Sequence, residues 1–64
     1  MDRDVFLMLK EDTQSLMYLL FTLRQYYSKH SHQKALKNID DCIIASSNSL
    51  IMINIQLGQQ KNAA

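Results

Sequence analysis

Proline and tryptophan are absent from this chain, and glycine and cysteine occur once each. The turns of a β-protein draw on Gly and Pro about every 8–12 residues. Their scarcity argues against a sheet built from hairpins and favours long helices joined by one reverse turn. A single cysteine has no partner for an internal disulfide, so a disulfide-stapled scaffold is excluded and a reducing cytoplasm is the expected setting. An excess of one charge is missing as well, with 7 Lys+Arg against 6 Asp+Glu and a net charge of +1. That balance, with 47% hydrophobic residues, argues against intrinsic disorder. Long apolar runs are also lacking. The longest is Leu16–Phe21, far short of the ~18–20 residues that span a bilayer, so no membrane insertion is expected. The opening Asp2-Arg3-Asp4 has no basic region of the kind that begins a signal peptide. Finally, 64 residues make one domain at most. An enzyme with its own cleft is not expected at that size, because pockets of ~300 Å³ or more need walls.

What is present is helical periodicity. A first helix begins at Asp2 or Asp4, whose carboxylates suit the positive end of the helix dipole, and runs from about residue 4 to 29. Phe6, Leu9, Thr13, Leu16, Leu20, Leu23 and Tyr27 recur at alternating spacings of three and four, which places them on one face. The polar segment 28–33 reads as the turn, with serines able to cap the next helix. A second helix, about 33–57, carries Leu36, Ile39, Ile43, Ser46, Leu50, Ile53 and Leu57 at the same spacing. Gly58 reads as its stop, and residues 58–64 as a frayed tail.

These two stripes close on each other. With a turn near residue 31, Tyr27 meets Leu36, Leu23 meets Ile39, Leu20 meets Ile43, and the pairing continues in register to Phe6 with Leu57. The predicted fold class is therefore all-α, an antiparallel two-helix hairpin forming a single domain over residues 1–57. A competing reading makes Ile51–Leu57 a strand, because apolar and polar residues alternate there with period two.

The seam leaves much apolar surface unused. Nine of the twelve residues from Leu16 to Tyr27 are apolar, and Val5, Leu7, Met8, Met17, Tyr18, Leu19, Phe21 and Tyr26 lie off the stripe. Helix two repeats the pattern with Ile44, Ile51, Met52 and Ile55. A surface helix has no reason to be apolar on every side, and large exposed patches mark interfaces. Burying one large aliphatic side chain is worth ~1.5–3 kcal/mol, whereas ordering each residue costs ~1–2 kcal/mol. A two-helix seam alone struggles to offset that cost, so the hairpin is expected to be completed by a second copy or by another helical protein. Met17, Tyr18, Phe21, Ile44, Ile51 and Ile55 form the expected partner interface.

Chemistry-bearing residues are sparse. His30, His32 and Cys42 are metal-ligand types, but histidines at i and i+2 do not share a helix face and no further cluster completes four ligands. A solvated turn is the better reading, and no metal or other cofactor is expected. Asp40 and Asp41 are adjacent on a helix, so they point apart and do not make an acid–base pair. Cys42 reads as a small hydrophobe at a helix–helix boundary. Arg24, Lys29, Lys34 and Lys37, with His30 and His32, cluster round the turn, while Asp2, Asp4, Glu11 and Asp12 make the far end acidic. Such a basic end is thin for phosphate binding and better suited to matching a partner's charge. Tyr18, Tyr26, Tyr27, Phe6 and Phe21 are all on helix one, as core or interface rather than a stacking platform for bases.

The second helix, Ala35-Leu36-Lys37-Asn38-Ile39 through Ser49-Leu50-Ile51-Met52-Ile53-Asn54-Ile55, ends in a serine- and isoleucine-rich stretch before Gly58. In this, in length and in hairpin plan, residues 5–57 resemble the small two-helix co-chaperones of bacterial type III secretion needle subunits. The resemblance implies a cytoplasmic bacterial helper with no catalytic role. It would dock on a larger helical-repeat chaperone and, with it, keep the needle subunit soluble until export. The alternative expectation is a homodimeric four-helix-bundle regulator, with RNA as a conceivable ligand.

Overall fold

The computed structural model describes residues 2–30 and 32–63, with side-chain environments through Gln59. It contains two helices, α1 (Asp2–Lys29) and α2 (Gln33–Ala63). They pack antiparallel into a rod of 50 × 14 × 12 Å. The radius of gyration is 14.8 Å, against about 11 Å for a compact domain of this length. The all-α hairpin expected from periodicity is the fold that forms.

Local chemistry sets the ends. Asp2 and Asp4 stand in the first turn of α1 and Lys29 in the last, each on the side of the dipole that favours its charge. At the reversal the Tyr27 carbonyl accepts hydrogen bonds from the backbone N–H of His30 (3.2 Å) and of His32 (3.3 Å), using both lone pairs. The Leu36 N–H donates to the His32 carbonyl at 2.9 Å and opens α2. Within α1, Thr13 and Thr22 donate their hydroxyls to the carbonyls of Leu9 (2.7 Å) and Tyr18 (3.0 Å), which satisfies both polar groups inside the helix.

Residues 51–57 are helical, so the strand reading fails. A strand there would leave its backbone donors and acceptors without a partner, whereas a helix satisfies them within the segment. The helix also runs through Gly58 to Ala63 rather than stopping at the glycine. Gly58 does not adopt the left-handed backbone of a helix cap. One glycine costs a helix only about 1 kcal/mol, and the Gln and Lys residues after it are good helix formers.

The seam keeps the whole α2 stripe. Ile39, Ser46, Ile53 and Leu57 are buried, and Leu36, Ile43 and Leu50 are half-buried between them. On α1 the outcome is different. Phe6, Thr13, Leu20 and Tyr27 form the spine, with Leu20 buried, but the residues completing the seam are Lys10 and Met17, not Leu9 and Leu16. Leu9, Leu16 and Leu23 are 40%, 47% and 45% exposed. Both sets flank the same four-residue spine, one on each side, and leucine content alone favours the wrong flank. The chosen flank lets the Lys10 stem lie over the seam with its ammonium in water, and brings Arg24 to an acidic partner on α2. Met17 thereby belongs to the seam and not to the outer surface.

Candidate interaction surface

One ion pair orients every other feature. Arg24 Nε donates to Asp40 Oδ1 at 2.6 Å. Arg24 shares its column with Lys10 and Met17 at seven-residue intervals, and Asp40 shares its own with Ser47 and Asn54. The two columns therefore edge the same side of the hairpin, here termed the bridge side. Leu9, Leu16 and Leu23 must edge the opposite side, and the α2 column there is Ala35, Cys42, Ser49 and Gln56. That opposite side is the leucine side.

The expected interface residues divide accordingly. Phe21 and Tyr18 flank the bridge side on α1, and Ile44 and Ile51 flank it on α2. All four are exposed, Tyr18 the most at 75%. Ile55, exposed too, lies on the back of α2, away from the seam. The polar middle of this side is made by Gln14, Arg24, Asp40 and Ser47. It is an apolar rim around a polar strip.

The leucine side is more continuous. Val5, Leu9, Leu16, Leu19, Leu23 and Tyr26 share this face at helical spacings, interrupted only by Asp12, and all six are exposed. Periodicity along α1 does not distinguish this second heptad stripe from the seam, although its signal is there. Val5, Leu19 and Tyr26 stand out as surplus apolar residues, and Leu9, Leu16 and Leu23 fall beside them once they leave the seam.

At the turn His30 and His32 are exposed, as expected, and the aromatic rings there also contact one another. The Tyr26 and His30 rings lie 4.4 Å apart, Tyr26 and Tyr27 meet edge to face at 5.2 Å, and Tyr27 meets His32 edge to face at 5.4 Å. The histidines are thus engaged with tyrosines through i, i+4 spacing and across the reversal, contacts that rigidify the bend. Cys42 is exposed in the hairpin, so it does not lie in the α1–α2 seam. Asp41 is exposed, and Asp40 is committed to Arg24.

Among the described residues no group of three or more His, Cys, Asp or Glu side chains converges on a point, and no pocket is present. None of the described helices is long and apolar enough to cross a membrane. The basic residues Arg24, Lys29, Lys34 and Lys37 gather at the turn end, and Asp2, Asp4, Glu11 and Asp12 lie in the half of α1 next to the open end. Comparison with known proteins identifies no relative: no family model, curated protein or solved structure matches the chain.

Proposed function

We propose that this chain is a non-enzymatic interaction protein, an α-hairpin that completes its core with helices supplied from outside its own chain. The observation that carries this reading is the imbalance of its apolar side chains. Among the described residues only four hydrophobic ones, Leu20, Ile39, Ile53 and Leu57, are buried, while fourteen large hydrophobic residues are at least 40% exposed. That distribution is ordinary for one layer of a helical bundle and costly for a free-standing monomer.

The finer reading is a cytoplasmic bacterial co-chaperone that covers an apolar surface of a larger helical-repeat chaperone and helps hold a type III secretion needle subunit soluble before export. Its support is the resemblance carried by residues 5–57 and the outward placement of Phe21, Ile44 and Ile51. A partner that binds only the folded hairpin stabilises it by mass action, and the hairpin stabilises the partner in return. Phe21→Asp or Ile51→Asp should abolish co-purification of the partner, while Asp40→Ala should leave it intact. Undiminished recovery of the partner with Phe21→Asp would sink this docking site.

A further inference from the structure

We propose that the leucine side of the hairpin is covered by a second copy of the same chain, packed antiparallel about a twofold axis that passes beside Leu16 and Ala45. The inference rests on the reading of an interaction protein and deepens it by naming the occupant of one face. It leaves the bridge side, with Phe21 and Ile51, free for another molecule.

Area gives the first argument. The hairpin exposes 5130 Å², whereas a compact monomer of its mass exposes about 4,200 Å². The surplus of about 900 Å² is close to the ~800 Å² that each partner contributes to a standard stable interface. Area alone suits any partner; the remaining arguments select a second copy.

A twofold interface must be self-complementary, so each residue has to meet an acceptable counterpart at the mirrored position. Reversing α1 about Leu16 sets Leu16 against itself and Leu9 against Leu23, and brings Val5 within one residue of Tyr26. Every one of these pairs is apolar. Only Asp12 interrupts the stripe; it lies one turn from Leu16, opposite Leu19, in the outer column that also carries Val5 and Tyr26. Reversing α2 about Ala45 sets Ala45 against itself and brings Cys42 within one residue of Ser49. Small side chains there allow the α2 helices to approach near the lower end of the 8–10 Å range, while leucines hold the α1 helices further apart. The two stripes are independent features, one on each helix. The hairpin register nevertheless brings their centres to nearly the same height, within about two residue rises, ~3 Å.

Charge selects the same arrangement. Residues 2–12 carry Asp2, Asp4, Glu11 and Asp12 against Arg3 and Lys10. Residues 24–41 carry Arg24, Lys29, Lys34 and Lys37 against Asp40 and Asp41. An antiparallel pair lays the acidic end of each copy along the basic turn end of the other; a parallel pair stacks like on like.

The test is sedimentation of the intact chain, combined with cross-linking. At tens of micromolar the chain should sediment as a dimer of about twice its 7.4 kDa mass. Leu16→Asp, which puts two carboxylates at the axis, should raise the dimer dissociation constant at least about 100-fold. In a Cys42→Ser background, Leu16→Cys should be joined copy to copy by a short bis-maleimide, and Phe21→Cys should not. A wild-type monomer at 100 µM would overturn the proposal, as would a dimer indifferent to Leu16→Asp or cross-linked equally well through Phe21→Cys. Because Phe21→Asp reports on the bridge side alone, retained partner capture with an intact dimer defeats only the docking site, and lost capture with a monomeric wild type defeats only the dimer.

Discussion

Arg24 and Asp40 are sixteen residues apart in sequence and joined by a 2.6 Å hydrogen-bonded ion pair between the two helices. The bond does more to orient the hairpin than to stabilise it. Both side chains are nearly half exposed, and exposed pairs of this kind contribute ~0.2–1 kcal/mol, screened further by salt. A double-mutant cycle of Arg24→Gln and Asp40→Asn, read by urea denaturation, should give a coupling below about 1 kcal/mol. That coupling should fall when sodium chloride is raised from about 0.05 to about 1 M, as the Debye length shrinks from above ~10 Å to about 3 Å. A coupling of several kcal/mol would mean that the pair is desolvated in the assembled protein.

Leu20 is the buried residue of the α1 spine, 8% exposed, and its truncation removes apolar contacts at the centre of the seam. Leu20→Ala should cost ~2–3 kcal/mol, the lower part of the range for leucine truncations, because a one-sided seam can partly collapse. In a domain of this size each kcal/mol lowers the melting temperature by about 4–8 °C. Thermal unfolding followed by helical circular dichroism should therefore show a drop of ~10 °C or more. Tyr18→Ala, at a position open to water in the free hairpin, should stay within about 0.5 kcal/mol of the parent.

Ser46 is the polar residue buried in the α2 stripe. Among the described residues no side-chain hydrogen bond from its hydroxyl is present. Removing an unpaired buried hydroxyl and replacing serine by the best helix former both act in the same direction. Ser46→Ala should thus raise stability by ~0.5–1.5 kcal/mol, seen as a higher urea midpoint with an unchanged slope. A loss of more than about 1 kcal/mol would show that the hydroxyl has a partner in the assembled state.

Periodicity makes the hairpin and the whole α2 stripe legible, because the alternating three–four spacing of α2 runs unbroken from Leu36 to Leu57. α1 is legible only as to its spine. Phe6, Thr13, Leu20 and Tyr27 are flanked on both sides by columns able to pack, and a composition rule prefers Leu9, Leu16 and Leu23 to Lys10, Met17 and Arg24. Which flank turns toward α2 is a tertiary fact that no window along one helix contains, and the Arg24–Asp40 contact reports the outcome. The same ambiguity hides the leucine side, since residues assigned to the seam are not available to an outer face. The Tyr–His ring contacts are obscured for a related reason: the i, i+4 relation of Tyr26 and His30 runs past the helix end, although the turn's exposure is legible.

Gly58 separates two physical pictures of the end of α2. A glycine that terminates a helix sits in the left-handed region, where an alanine is strained. Gly58 instead lies within the helix, and no atom beyond its own helical turn stands within 4 Å of where a Cβ would be. An added methyl group meets no obstacle there and reduces the freedom of the unfolded chain. Gly58→Ala should accordingly stabilise the hairpin by ~0.4–1 kcal/mol, measured as a shift of the urea midpoint at constant protein concentration. It should also increase amide-exchange protection at the backbone of residues 57–61, because the helix past Leu57 no longer has a weak link. A destabilising Gly58→Ala would return the glycine to the role of a cap and end α2 at Leu57.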